Sequence, residues 1–173
     1  MTAYFQVACR AHYSVLEPPS FWQRLYPYFE ARLLHQVRRS NGPRLEFIPT
    51  DVSNYGEIAK LLLMHNGYDL YRVPTDRADY AEIAKLAVQH EGWALQYVPP
   101  DRADYGELAM FAVQNNGYAI NDVPTGRDDY GELARHAVQQ EGQALQDVPS
   151  NRPDYGELAK LAVQQDCQAL QYV

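Results

Sequence analysis

The chain has 173 residues, of which 46% are apolar and 21% charged, and its formal net charge is −7. That apolar share excludes wholesale disorder. Cys9 and Cys167 lie far apart without CxxC spacing, which excludes a zinc knuckle or a disulfide framework. The charge is uneven: residues 1–50 hold six arginines against three glutamates, a net +3, leaving −10 for residues 51–173. An acidic surface repels nucleic acid backbones and favours basic partners, and it also keeps a repeat array soluble.

Residues 1–27 form an N-terminal segment of uncertain structure. Phe5, Val7, Cys9, Ala11, Tyr13 and Val15 alternate with polar or small residues. That is a strand-like period, although a helix or irregular cover remains open because nothing downstream offers a sheet. Pro18 and Pro19 then interrupt the pattern, and Ser20 with Gln23 has capping-box spacing ahead of a helix. Residues 28–50 read as a degenerate repeat. Gly42 precedes Gly67 by 25 residues, and Pro49 precedes Pro74 by the same step. Such a copy is expected to cap an array.

From residue 51 to 173 the text recurs five times at a step of 25 residues, marked by Tyr55, Tyr80, Tyr105, Tyr130 and Tyr155 and by Val73, Val98, Val123, Val148 and Val173. A fixed period of this size signals a solenoid. Within one copy, Asp79 stands as an N-cap with Glu82 three residues on, as do Asp104, Asp129 and Asp154 with their own glutamates. Tyr80, Ile83, Ala84, Ala87 and Val88 share one helical face. Gly92, like Gly67, Gly117 and Gly142, is expected to end the helix in a left-handed conformation. Ala94, Leu95 and Val98 then make a short α or 3₁₀ turn closed by Pro99. The expected fold is all-α, a right-handed α-helical solenoid of long-helix/short-helix repeats.

The segments LAVQHEGWALQYV (residues 86–98) and HAVQQEGQALQDV (residues 136–148) resemble a short bacterial helical repeat known as a domain of unknown function, with an AVQQNG-type helix end followed by an AL turn. The resemblance covers residues 51–173. It implies a helical repeat found in bacterial proteins, including multidomain effector-like ones, with no assigned catalytic residues. Cys167 departs from the glycine of that pattern, which predicts a tighter or frayed end to the last helix.

The tyrosine column is expected to pack between helices, with its hydroxyls at the edge. Arg77, Arg102, Arg127 and Arg152 are expected in an arginine–carboxylate ladder between neighbouring repeats. Two columns vary while the frame stays constant. The residue after the turn glycine reads Tyr68, Trp93, Tyr118, Gln143, Gln168, and the residue two before it reads His65, His90, Asn115, Gln140, Gln165. Tyr68, Trp93 and Tyr118, joined by His65, His90 and Tyr97, are the candidate partner-binding residues, because large aromatic rings one repeat apart make a recognition stripe. The alternative is that they cover the joint between long and short helices. His65 and His90 with Asp69 raise a metal site, but equivalent atoms in adjacent repeats stand about 8–10 Å apart, too far to share an ion. No GxSxG, HExxH, GxGxxG or P-loop text occurs.

These readings predict a non-enzymatic protein–protein interaction scaffold or adaptor, with no cofactor, no metal and no nucleic acid or membrane partner. It would bind a protein through an aromatic column on an acidic surface. The alternative is an acidic inhibitor or nucleic-acid mimic that binds a basic protein. An enzyme site within residues 1–50 has no positive support. Without a signal peptide or an apolar run of the ~20 residues that span a bilayer, the expected location is cytoplasmic, or secreted as an effector by a non-classical route. The last copy is fairly polar, so it either caps itself, forms a homodimer through its end face, or continues into a longer array.

Overall fold

The computed structural model describes Leu45, Ile48, Thr50 and residues 54–173. The strand-like alternation at residues 5–15, the Ser20 capping box and most of the degenerate repeat lie outside the described residues. Over residues 54–173, five long helices alternate with five 3₁₀ helices: α1 (Tyr55–Leu63), η1 (Gly67–Arg72), α2 (Tyr80–His90), η2 (Gly92–Tyr97), α3 (Tyr105–Asn115), η3 (Gly117–Asp122), α4 (Tyr130–Gln140), η4 (Gly142–Asp147), α5 (Tyr155–Gln165) and η5 (Cys167–Tyr172). Among the described residues there is no strand. Each long helix packs on the next long helix, on its own short helix and on the short helix of the copy before, so the core grows one repeat at a time. The described fold is therefore an all-helical, sequentially stacked array, consistent with a helical solenoid.

The apolar spacing accounts for the packing. Ile83, Ala84, Ala87 and Val88 of α2 and Ala94 and Leu95 of η2 are all buried, and the same positions are buried in the third and fourth copies. The alanines keep the helix faces shallow, so adjacent backbones approach closely. Leu45 and Ile48 are also buried, 25 residues ahead of Leu70 and Val73. Val73, Val98, Val123 and Val148 take extended backbone, with ψ of 123–126°, because each precedes a proline that disfavours the helical region.

Several local expectations give way to contacts between repeats. No described glycine has positive φ. The four helices α2–α5 instead each end on one extended residue, such as Glu91 at φ −138° and ψ 100°, whose N–H still closes the ladder onto the Ala87 carbonyl at 2.8 Å, while α1 reaches its extended residue, Asn66, after Met64 and His65. Glycine is required because the next repeat presses on it. A Cβ at Gly92 would stand 2.8 Å from the Ala112 carbonyl oxygen, and one at Gly117 or Gly142 would stand 2.6 Å from the corresponding oxygen of Ala137 or Ala162. The Cys167 side chain, at the equivalent place in the last copy, is exposed. The last helix is not frayed: Asp166, at φ −142° and ψ 116°, repeats the geometry of Glu91.

A further correction concerns the aspartates. Asp79, Asp104, Asp129 and Asp154 stand at the N-cap positions but none makes a side-chain cap hydrogen bond. The arginine two residues earlier takes both carboxylate oxygens. Arg77 Nε and Nη2 donate to Asp79 at 2.8 and 2.9 Å, and the other three copies repeat the pair. A bidentate charged pair outcompetes a single bond to a helix N–H.

The arginine also joins the repeats, by a different route from a carboxylate ladder. Arg77 Nη1 donates to the Thr50 carbonyl, 27 residues back, at 3.1 Å, and its guanidinium lies 4.6 Å from the centre of the Tyr55 ring in the preceding copy. Arg102, Arg127 and Arg152 do the same over Tyr80, Tyr105 and Tyr130. The carboxylates that do bridge repeats are the glutamates thought to complete capping boxes. Lys60–Glu82 (2.8 Å), Lys85–Glu107 (2.9 Å) and Arg135–Glu157 (3.3 Å) form rungs, and the rung at Glu132 is missing because Met110 occupies the basic position.

Candidate functional site

The column tyrosines belong to the frame. Tyr55, Tyr80, Tyr105 and Tyr130 are buried. Tyr105 Oη donates to the Asp122 carbonyl at 3.0 Å, tying the start of a long helix to the end of its own short helix, and Tyr80, Tyr130 and Tyr155 make the same connection. Burial pushes the Tyr105 hydroxyl up to about 12, opposed in part by Arg127.

The short helices present the more unusual surface. A 3₁₀ helix has three residues per turn, so positions i and i+3 eclipse one another. In η1 this puts Tyr68 and Tyr71 on the same side, 40% and 53% exposed. Tyr97, half-buried at the end of η2, meets both: its ring centre lies 6.5 Å from Tyr68 in an edge-to-face arrangement and 5.5 Å from Tyr71. The Arg72 guanidinium covers the Tyr71 ring at 4.5 Å and approaches Asp69 at 3.7 Å. The result is an aromatic patch across the joint of the first two described repeats, open on one side to solvent.

The rest of the short-helix face turns acidic. The position of Tyr97 reads Arg72, Tyr97, Asp122, Asp147, Tyr172 along the array. Burial raises the carboxyls of Asp122 and Asp147 above the usual carboxylate range, and neighbouring Asp147 raises Asp122 further. One carboxylate oxygen of Asp122, Oδ2, is buried with no hydrogen-bond partner among the described residues. Burial raises the Tyr68 hydroxyl, and so do the charges of Glu91, Tyr97 and Asp122. Tyr118 is raised by burial and by a set that includes Glu141, Tyr172 and Asp147.

The six candidates from sequence separate into two groups. Tyr68 and Tyr97 touch; Tyr118 lies further along the same face, half-buried against the core. Trp93 is half-buried in η2, so it is less solvent-facing than Tyr68. His65, in the turn after α1, and His90, the last residue of α2, are exposed and outside the ring cluster. Their column serves the joint in the next copy, where Asn115 Nδ2 donates to the Gln89 carbonyl. In the late copies the column after the glycine also joins repeats: Gln143 Nε2 donates to Gln168 at 3.1 Å and to Asp166 at 2.9 Å. Among the described residues no group of three His, Cys, Asp or Glu side chains could hold a metal ion. No described helix is long and apolar enough to cross a membrane.

Tyr71 is the residue that sequence reasoning missed. It occurs in one copy only, where its equivalents are Gln96, Asn121, Gln146 and Gln171, so no column marks it. Its i, i+3 relation to Tyr68 on a 3₁₀ helix was the available signal.

A family model described as a domain of unknown function (DUF4116) matches residues 80–127, which run from the start of α2 to the turn after η3. No curated protein matches the chain, and neither does any solved structure.

Proposed function

We propose that this protein is a non-enzymatic interaction scaffold that binds a protein partner through its short-helix face. The repeat pattern matched at residues 80–127 extends, on this reading, over the whole of residues 51–173 as one bacterial-type helical repeat array. The observation that supports it best is the Tyr68–Tyr71–Tyr97 cluster. Tyr71 lies outside the recurrent frame, and the array stacks without it in every other copy. Exposed tyrosines at a joint, next to half-buried carboxylates, have the composition of an interface centre.

The acidic-mimic reading has less support. The aspartates before α2–α5 and the glutamates Glu82, Glu107 and Glu157 are already paired with cations inside the array. The test is affinity capture with the full chain, comparing Tyr71→Ala and Tyr68→Ala with Gln139→Ala on the exposed side of α4. The tyrosine changes should abolish capture of a protein that Gln139→Ala retains, at unchanged melting temperature. Equal capture by all three would reject the short-helix face as the binding surface.

A further inference from the structure

The array shows how it recognises a guanidinium. At four successive turns an arginine is gripped by a bidentate aspartate and covered by a tyrosine ring, as in Arg102 with Asp104 at 2.8 and 2.9 Å and Tyr80 at 4.6 Å. The short-helix face assembles similar parts. Tyr97 and Tyr68 supply rings, and Asp122, one repeat on in the column of Tyr97, supplies a carboxylate. At the first place in that column stands the protein's own Arg72, over Tyr71 and beside Asp69. At the third and fourth places stand Asp122 and Asp147, with no ion pair among the described residues, and Asp122 keeps one buried oxygen without a hydrogen bond. Two carboxylates in consecutive repeats repel one another, and a cation between them relieves both that repulsion and the lost hydration.

We infer that the short-helix face binds an arginine-bearing extended segment of a basic partner protein, one guanidinium seated against the Tyr97 and Tyr68 rings and paired with Asp122. This rests on the scaffold reading and adds the chemistry of the partner. Asp147, with Tyr118 and Tyr172 nearby, receives the next basic side chain along the array. Arginine fits better than lysine because its planar guanidinium lies face-on to a ring while an N–H at its edge still reaches a carboxylate. The repeats hold a net −10, so the surrounding field favours a basic segment.

The experiment is calorimetric titration of the full chain with a short peptide alternating glycine and arginine, and with its lysine counterpart, at about 150 mM salt. The arginine peptide should bind saturably and several-fold tighter than the lysine peptide. Asp122→Asn, a near-isosteric change that leaves the fold intact, should weaken it by about tenfold or more, as should Tyr97→Leu. Glu132→Gln, which removes an exposed charge on the long-helix side, should leave it unchanged. Absence of saturable binding would overturn the inference, as would equal losses from Asp122→Asn and Glu132→Gln, the mark of diffuse charge attraction. A natural partner lost on Tyr71→Ala but fully retained by Asp122→Asn would leave the scaffold reading standing and overturn this one.

Discussion

Replacing Gly117 by alanine tests the account of how the repeats join. The φ of every described glycine is compatible with an L-residue, so alanine carries no backbone penalty and should gain about 0.4–1 kcal/mol by restricting the unfolded chain. Against that, the new Cβ would sit 2.6 Å from the Ala137 carbonyl oxygen and 2.9 Å from the Glu141 Cβ. The carbonyl belongs to helical backbone and cannot swing away, so the two repeats must separate. Overpacking of this kind costs about 1–3 kcal/mol, which exceeds the gain. The net expectation is destabilisation by about 1–2 kcal/mol, or a fall of a few degrees in melting temperature for a chain of this size. Gly131→Ala is the matched control. Its Cβ meets only the side-chain ends of Asp154 and Arg152, at 2.8 and 3.2 Å, and Ala81 already fills the equivalent position in the second described copy. Urea unfolding followed by circular dichroism should show Gly117→Ala less stable than wild type and Gly131→Ala equal or better. If Gly117→Ala were as harmless as Gly131→Ala, close approach between repeats would not be the reason for the glycine.

Tyr105→Phe should cost about 0.5–1.5 kcal/mol through loss of the 3.0 Å bond to the Asp122 carbonyl, read in the same unfolding assay. In alkali the unfolded chain ionises its tyrosines near 10, while Tyr105 in the fold holds its proton to about 12. Stability should therefore be intact below pH 10 and fall between about 10 and 12, and Tyr105→Phe should reduce that fall. In acid the sign reverses. Arg102 holds the Asp104 carboxyl below its ordinary value, so the pair stabilises above the unfolded carboxylate range and is lost as pH falls through the depressed folded value. Arg102→Ala should be about 1–2 kcal/mol less stable near neutrality and less sensitive to acid, measured as the melting temperature against pH. Met110→Lys should supply the missing rung opposite Glu132 and change stability by no more than about 1 kcal/mol, with any gain disappearing in high salt.

Periodicity carried much of the fold into view. A 25-residue step with tyrosine, paired alanines and proline at constant places leaves few ways to bury one apolar face per copy. What escaped was chemistry between copies. Gly92 matches a helix-ending signal, and only the neighbouring Ala112 carbonyl reveals that the requirement is space. Asp79 matches a capping signal, but Arg77 two residues before it forms a stronger contact that a helix-start pattern does not consider. Tyr68 and Tyr97 were marked as candidates by position, while their ring contact depends on how one short helix lies against the next. Tyr71 stands alone among Gln96, Asn121, Gln146 and Gln171, and the column of Tyr97 changes from cation to ring to carboxylate, so neither reads as a stripe of one residue type.

We propose that partners meet the short-helix face. Site-specific photo-crosslinking in the cells that make the protein tests it most directly, with a photoreactive phenylalanine analogue placed in turn at Tyr71 and at Gln139. The account predicts a crosslinked protein from position 71, lost when Tyr68 is also changed to alanine, and none from position 139. A partner crosslinked from position 139 and never from position 71 would contradict it.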